Sequence, residues 1–368
     1  MCAKFEVQPY QLGDEHEIVQ LLRLVFDGWP HFDIKCDPVD HWRWKYLDNP
    51  VGRIICTLAV SDGKIIGCFH SPLLEVKIGD SIYICSQGAD QAVHPDFRRM
   101  GVYTKTREMA QKIRMKEGVD FHFSGSIVQL MIDTSIRRGE SRFPHEGEVF
   151  VRIHDVDEHL RKMPTGKYLL NKYGFLALRL INRIINALQS SRPLKQGLAV
   201  NEIERFDERI NDFWEKISRK YHFIVKRTED YLNWRYCDPR AGAFIVKLAE
   251  EDEEILGYSV LRINRFVEDY PVGWLVDLLT LPDRPDAAHA LVQDAVKYFD
   301  QNDVNITICL INRGHAHAGI VKRYGFLNSR QGPFRVYVSY IQDSENIRKF
   351  KESRVEEVHS VFGDYDWI

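Results

Sequence analysis

A short segment between an apolar strand and an amphipathic helix carries residues suited to binding an anion. It contains Val93, Pro95, Arg98, Arg99 and Gly101. A turn at this place exposes consecutive backbone N–H groups at a helix N-terminus, where orphan amides and the helix dipole favour phosphate oxygens. The two arginines add positive charge at the same position. The segment therefore predicts a phosphate-bearing ligand; the alternative is an ordinary strand-to-helix loop with two surface arginines.

Two aspartates lie within apolar, strand-like runs. Asp90 comes three residues before Val93, and Asp277 lies in the run 274–279. A carboxylate in such surroundings needs hydrogen bonds or a raised pKa. Asp90 is the carboxylate nearest the loop on its strand, so it is the candidate for a general base that removes a proton from a nucleophile. For Asp90 the roles of base and strand brace are both open, whereas Asp277 is interpreted first as a brace.

Periodicity predicts the elements that position these residues. In chain order they are strand 5–10, helices 14–26 and 38–46, strands 53–60, 65–76 and 81–93, helix 101–117, strand 121–124, helix 128–138 and strand 149–153. The three central strands form an antiparallel meander, and a strand–helix–strand pattern follows it. This order indicates a mixed α/β fold.

The pattern repeats after residue 205. Matching residues are Trp44 and Trp234, Tyr46 and Tyr236, Asp48 and Asp238, and Gly67 and Gly257, each pair 190 apart, followed by Asp90 and Asp277, 187 apart, and Gly139 and Gly325, 186 apart. An offset that drifts this slowly indicates internal duplication.

The duplication predicts two domains and two connecting segments. We expect domains at 1–157 and 202–345, a linker at 158–201 and a C-terminal tail at 346–368. The linker contains an amphipathic helix at 168–189, which is interpreted as packing between the domains. A membrane-surface helix is the alternative for this basic, amphipathic stretch.

Composition argues against several classes of protein. The 50 Lys and Arg residues nearly balance the 53 Asp and Glu residues, giving a net charge of −3, without the basic excess of a nucleic-acid-binding protein. The seven cysteines form no CxxC pair, which favours reduced thiols over a zinc site. No signal peptide or membrane-spanning run is visible. We expect a cytoplasmic protein with no metal, no nucleic-acid partner and no stable membrane insertion.

The run Val93-His94-Pro95, followed by Arg98 and then Gly101, resembles the pyrophosphate loop of the GNAT superfamily of N-acetyltransferases. Together with the element order and the duplication, it resembles tandem members of that superfamily. The resemblance covers roughly 5–155 and 202–342. It implies two GNAT-like domains, each with a mostly antiparallel central sheet flanked by helices.

The resemblance implies that the first loop holds the pyrophosphate of coenzyme A. The residues expected to bind this cofactor are Val93, Arg98, Arg99, Met100, Gly101, Val102, Tyr103 and Thr104. Tyr103 departs from the family pattern, which has Gly or Ala at that position. The second copy of the loop, 281–287, lacks both the glycine and the paired arginines, so it is not expected to bind coenzyme A.

Other site residues follow from the resemblance. The family often places its base eleven residues before the first loop position, which here is Gln87, a side chain that can orient a water. Its acid tyrosine is missing at the matching positions, Ser135 and Val321. Because some tandem members bring their tail into the active cleft, Asp364 and Asp366 are expected, with Asp277, to contact a cationic acceptor.

The resemblance implies an acyl-CoA-dependent N-acyltransferase with acetyl-CoA as donor. The acceptor is a small-molecule amine between the domains: an amino sugar, an amino acid or a small amine. One alternative is a non-catalytic protein that binds coenzyme A or a partner, which the missing base and acid support. Another is a tRNA-dependent aminoacyl transferase, against which the loop and the acidic charge balance argue.

Overall fold

The computed structural model describes residues 4–126, 133–134, 136–143, 145–162, 197–265, 270–329, 334–340 and 344–365. Its first half contains strands β1 (Glu6–Pro9), β2 (Ile54–Ser61), β3 (Lys64–Ile78), β4 (Ser81–Gln87), β5 (Ala89–Val93), β6 (Phe121–Ser126), β7 (Ser141–Arg142) and β8 (Gly147–Ile153), and helices α1 (Glu15–Val25), α2 (Pro38–Tyr46), α3 (Val102–Lys116) and α4 (Val156–Lys162). The predicted helix 168–189 and most of the predicted helix 128–138 lie outside the described residues.

The second half repeats this order. Its strands are β9 (Ala199–Ile203), β10 (Phe223–Val225), β11 (Phe244–Glu251), β12 (Glu254–Asn264), β13 (Val272–Thr280), β14 (Ile306–Asn312), β15 (Leu327–Asn328) and β16 (Arg335–Tyr340), and its helices are α5 (Arg209–Ser218), α6 (Glu229–Leu232), α7 (Pro285–Gln301), α8 (Ala316–Arg323) and α9 (Glu345–Lys351). The predicted mixed α/β class is confirmed. None of the helices in the described part is long and apolar enough to cross a membrane.

The two sheets exchange a strand. The first has the order β1-β2-β3-β4-β6-β16-β7, and the second has the order β15-β8-β14-β13-β12-β11-β9. Strand β8 of the first half pairs with β14, and β16 of the second half pairs with β6. The predicted closing strand 149–153 therefore forms, but it lies in the second sheet. The domain limits at 157 and 202 stay a prediction, and neither sheet consists of one continuous stretch of chain.

A reciprocal pair of tryptophans relates the two halves. Trp44 Nε1 donates to the carbonyl oxygen of Trp234 at 2.8 Å, and Trp234 Nε1 donates to that of Trp44 at 3.0 Å. The two rings stack with centroids 5.3 Å apart. Two equivalent residues that exchange the same hydrogen bond in both directions indicate a two-fold axis between them. The 190-residue repeat is thus a local pseudo-two-fold relation in space.

Helices cover both faces of the first sheet. Cys56, Leu58 and Cys68 pack with α1 and α2, whereas the alternate residues Ile55 and Phe69 pack with α3 on the other face. Helix α2 begins where the sequence predicts it, because Asp37 caps its N-terminus by accepting from Val39 N, with Pro38 in the first turn. A shared hydrophobic core joins residues from both sheets.

Candidate functional site

The predicted anion-binding loop lies between β5 and α3. Strand β5 ends at Val93, residues Pro95–Phe97 form a 3₁₀ turn, and α3 begins directly after Gly101. Gly101 has a φ of +83°, a left-handed conformation that glycine adopts without strain. A Cβ at this position would meet no atom within 4 Å. The loop is therefore open on that side.

The loop forms one wall of a surface depression with a volume of about 260 Å³. The predicted cofactor residues line it with one exception: Val93, Arg98, Arg99, Gly101, Val102, Tyr103 and Thr104 do so, and Met100 is exposed outside the lining. The N–H groups in the first turn of α3 have no intrahelical partners, and the helix dipole adds positive potential. With two exposed arginines, the depression is suited to phosphate oxygens.

Arg138 is a further cation beside the depression. Its Nη1 donates to the hydroxyl of Tyr103 at 3.1 Å, and its guanidinium lies 5.1 Å from the centroid of the same ring. No pattern in the sequence points to this residue, which lies 35 positions from Tyr103. Tyr103, the departure from the family loop, thus holds a third positive charge near the predicted phosphate position.

The first sheet opens next to the loop. Strand β4 pairs in parallel with β6 as far as Gln87 and Phe123. Beyond this point β5 pairs with β3, and no described strand pairs with its other edge. The change of direction occurs near Asp90, which has a φ of +40°. The single strand predicted at 81–93 is therefore two strands, and a gap separates β5 from β6.

Asp90 is held by the second helix rather than directed into this gap. Its Oδ2 accepts from Lys45 Nζ at 2.8 Å and from Tyr46 OH at 2.5 Å. Burial alone would raise the pKa of Asp90, but Lys45, His70 and the hydrogen bond from Tyr46 lower it to about 2. A carboxylate this acidic accepts a proton poorly at neutral pH. Of the two roles left open for Asp90, the geometry thus favours that of a strand brace.

The other predicted site residues meet at the C-terminal segment. Gln87 Nε2 donates to the carbonyl oxygen of Asp364. Arg227 Nη2 lies 2.5 Å from Asp364 Oδ1 and 3.2 Å from Asp277 Oδ2. Asp277 also accepts from Tyr236 OH at 3.0 Å. The structure therefore brings Gln87, Asp277 and Asp364 together around Arg227, a residue that sequence reasoning missed.

Each carboxylate in this cluster has a partner. Burial alone would raise the pKa of Asp277, but Arg227, His359 and Tyr236 hold it below its ordinary value. The side chains of Asp277 and Asp364 are 0% and 2% exposed. These contacts make both residues parts of a buried ion cluster. The remaining predicted acceptor contact, Asp366, lies outside the described residues.

The C-terminal segment 355–365 fills the gap of the second sheet. Strands β13 and β14 pair in parallel and then part, as β4 and β6 do. Asn312 Nδ2 donates to the carbonyl oxygen of Val358 at 3.0 Å, and the Phe362 ring packs edge-on against Trp274 at 5.0 Å. The cavity left there is about 10 Å³, room for one water. The second gap is therefore already occupied by the chain itself.

The second copy of the loop also lacks the features of an anion site. Pro285 stands in the first turn of α7 and has no N–H to offer. The guanidinium of Arg284 pairs with Asp286 and with Glu251, both at 2.8 Å. These contacts neutralise the cation at the helix start. They give a physical cause for the prediction that 281–287 does not hold coenzyme A.

A small cavity lies between the two halves, on the α2 side of the first sheet. It is lined by Lys45, Pro72, Leu74, Gln87, Tyr231, Trp234, Arg235, Gly363, Asp364 and Tyr365, and its volume is about 30 Å³. Its two cations occupy equivalent positions 190 residues apart, and both have partners: Lys45 pairs with Asp90, and Arg235 donates to the carbonyl oxygens of Gly363 and Tyr365. The cavity thus borders Gln87, at the base of the first gap.

No protein-family model and no curated protein matches the sequence. Several solved structures match the fold. A probable N-acyltransferase from Enterococcus faecalis has a TM-score of 0.61 at 10% identity, over 92% of this chain and 73% of its own. N-myristoyltransferase from Saccharomyces cerevisiae with bound myristoyl-CoA has 0.60 at 13%, over 92% and 80%. A tandem GNAT protein from the clavulanic acid biosynthesis pathway has 0.56 at 11%, over 93% and 100%. At these identities the likeness is one of fold.

Proposed function

We propose that this chain, which has the tandem GNAT fold, is an acyl-CoA-dependent N-acyltransferase with its donor site in the first half. The observation that carries the proposal is the depression at the N-terminus of α3, beside a gap between two strands. The depression suits the pyrophosphate of coenzyme A, and the gap suits its narrow pantetheine arm. The yeast enzyme of similar fold was solved with myristoyl-CoA. We infer that the acyl group is acetyl, and the comparison of acetyl-CoA with myristoyl-CoA tests this choice.

We infer that the acceptor is a small-molecule amine that enters between the halves, at the cavity next to Gln87. The volume of this cavity is room for about two waters. A larger acceptor requires residues 363–365 to move. The amine must be neutral to attack the thioester. Asp90 and Asp364 are both paired with cations, so neither is placed to take the proton of the amine. We therefore expect the rate to rise with pH as the amine in solution loses its proton.

Calorimetric titration of the full chain with coenzyme A tests the donor site. We expect one site per chain, and two equivalent sites or none would refute the assignment. Gly101→Val places a β-branched side chain in the open side of the loop and should weaken binding at least tenfold. Gly118→Val is the matched control: Gly118 also has a positive φ, +68°, with no atom within 4 Å of its Cβ position, but it lies beyond the other end of α3. The control should suffer the same backbone strain, roughly 1–2 kcal/mol, and keep its affinity.

Turnover is tested by thiol release from acetyl-CoA and myristoyl-CoA against a panel of amino sugars, amino acids and small amines. Release that depends on one class of amine supports the proposal and identifies that class. The second candidate function is binding of coenzyme A without catalysis. It is favoured by the ion pairs that engage Asp90, Asp277 and Asp364. Tight binding with no thiol release for any amine and either donor would support it over the enzyme.

A further inference from the structure

A buried polar network lies at the base of the first gap, on the face of the sheet that carries α3. Its centre is His122 of β6. Ser86 Oγ lies 2.9 Å and Arg114 Nη1 3.2 Å from His122 Nδ1, and Arg114 also donates to Ser71 Oγ at 3.2 Å. His122 is 6% exposed and Arg114 is 3% exposed. Burying an arginine and a histidine costs stability unless their polar atoms are hydrogen-bonded or paired.

The contacts at Nδ1 fix the tautomer of His122. A guanidinium can only donate, so Nδ1 must accept from Arg114, and the proton of the neutral ring lies on Nε2. Burial lowers the pKa of His122 well below its ordinary value, and Arg114 and Arg107 lower it further. The ring is therefore neutral at pH 7 and presents an N–H donor at Nε2.

That donor lies beside Gly88, at the point where the gap begins. His122 Nε2 lies 3.6 Å from the position a Cβ would take on Gly88, and Gln91 Nε2 lies 2.7 Å from the same position. Gly88 directly follows Gln87, the last residue of β4 to pair with β6. Within the described part of the chain, Nε2 of His122 has no hydrogen-bond partner. A side chain at residue 88 would narrow the space between the strand and this N–H.

The second half provides an internal comparison. Because Asp277 is the counterpart of Asp90, Gly273 and Thr307 of its parallel pair stand at the register positions of Ser86 and His122. The half without the loop glycine and the paired arginines thus lacks the imidazole: Gly273 offers no side chain there, and the buried Thr307 stands in place of His122. A group needed only to hold the fold together would be expected in both halves. The network accompanies the donor site instead.

We propose that His122 donates a hydrogen bond from Nε2 to the thioester of the acyl donor during transfer; this rests on the proposed function. In the reaction the amine nitrogen bonds to the acyl carbon, the C–S bond breaks, and the sulfur keeps the electron pair. One proton passes from the amine nitrogen to the sulfur. Negative charge develops on the thioester oxygen and then on the sulfur. The neutral N–H stabilises that charge without losing its proton.

Nitrogen-15 NMR of the histidine side chains in the full chain tests the proposal without turnover. The His122 signals, assigned by their loss in His122→Gln, should show a neutral ring protonated at Nε2 from pH 6 to 8. The Nε2–H signal should shift with acetyl-CoA and much less with coenzyme A. A ring protonated at Nδ1 would overturn the inference. Acetyl-CoA that binds by calorimetry without a shift at Nε2 would overturn it alone, whereas absence of coenzyme A binding would refute the proposed function itself.

Variants test the consequence for turnover, measured as thiol release from acetyl-CoA with the best amine of the panel. His122→Ile removes the N–H donor and should slow release about a hundredfold, as loss of one transition-state donor does. Coenzyme A affinity should stay unchanged. His122→Gln keeps an N–H at similar reach and should recover part of the rate with the same pH profile. Ser71→Ala, which removes one partner of Arg114, is the control and should cost only a few-fold.

Three results would contradict the proposal in these variants. One is a His122→Ile rate within threefold of the wild type in a folded protein. Another is a His122→Gln rate no better than that of His122→Ile. The third is an acid limb of the wild-type pH profile that disappears in His122→Gln, since that would make the imidazole a base.

Discussion

Arg227 holds two carboxylates at the point where the C-terminal segment docks. Its Nη2 is 2.5 Å from Asp364 and 3.2 Å from Asp277, and all three side chains are at most 2% exposed. Burial alone would lower the pKa of Arg227, but the two carboxylates raise it well above its ordinary value. Arg227→Met keeps the bulk of the side chain and removes the charge. Two buried carboxylates would then lack a cation, and losing one partner of a buried ion pair costs about 3–5 kcal/mol.

Protonation of a carboxylate limits the loss of stability. A stranded carboxylate can become protonated, which at pH 7 costs about 4 kcal/mol for an ordinary pKa near 4. Asp277 keeps the hydroxyls of Tyr236 and Tyr258, at 3.0 and 3.1 Å, so most of the loss falls on Asp364. We therefore expect Arg227→Met to lower the free energy of unfolding by about 4 kcal/mol at pH 7. The difference should shrink towards pH 5, because protonation becomes about 1.4 kcal/mol easier per pH unit.

Urea denaturation at pH 7 and pH 5 measures this difference, and hydrogen exchange of residues 355–365 reports whether the segment opens. Arg219→Met is the matched control, because Arg219 is 77% exposed and lies 3.9 Å from Glu215. An exposed pair of this kind contributes less than about 0.5 kcal/mol. A loss under 1 kcal/mol for Arg227→Met, with unchanged exchange in the segment, would refute the view that this cation locks the C-terminal segment in place.

The remaining predictions concern stability. Burial lowers the pKa of His41 to about 3 and that of His70 to about 4; because the unfolded histidines take up protons below about pH 6.5, stability is full above that pH and falls as pH drops towards 4. Urea titrations at pH 7, 6 and 5 should show up to about 1.4 kcal/mol per pH unit for each ring, and a shallower slope in His70→Gln. Asp90 has a pKa near 2, so it contributes stability above pH 4 that disappears as pH falls towards 2. Asp90→Asn should remove this pH dependence and lower the free energy of unfolding by roughly 2 kcal/mol at pH 7. The same variant should keep most of the turnover. Trp44→Phe and Trp234→Phe should each cost about 1–3 kcal/mol in the same assay, since each strands a carbonyl acceptor, and unequal costs would argue against the two-fold relation.

The elements that local signals specify could be predicted from sequence. Helix α2 was predicted at its observed limits, because its cap and first turn lie in adjacent residues. The strand predicted at 81–93 is two strands, with a break at Gly88 and a left-handed conformation at Asp90 just after it. The side chain of Asp90 is held by Lys45 and Tyr46, which lie 45 and 44 residues away. Contacts over that distance leave no trace in periodicity.

The exchange of strands could not be predicted for a related reason. Alternation in Gly147–Ile153 indicates a strand, but it does not say which edge the strand joins. Its seven residues pair with β14, more than 150 positions along the chain. The C-terminal junction has the same character, because Arg227 and Asp364 are 137 residues apart. The depression at the loop could be predicted, because the residues that line it lie within the continuous stretch 93–104.

Comparison of equivalent side chains in the two halves distinguishes structural roles from roles at the candidate site. Tyr46 donates to Asp90, and Tyr236 donates to Asp277 in the other half. The second half keeps this pair although it lacks the loop glycine and its gap is filled by the chain. A hydrogen bond kept where the chain itself fills the gap favours a bracing role, and we expect Asp90 to share the role of its counterpart. By the same comparison His122, whose counterpart in the other half is Thr307, is an imidazole that the fold alone does not require.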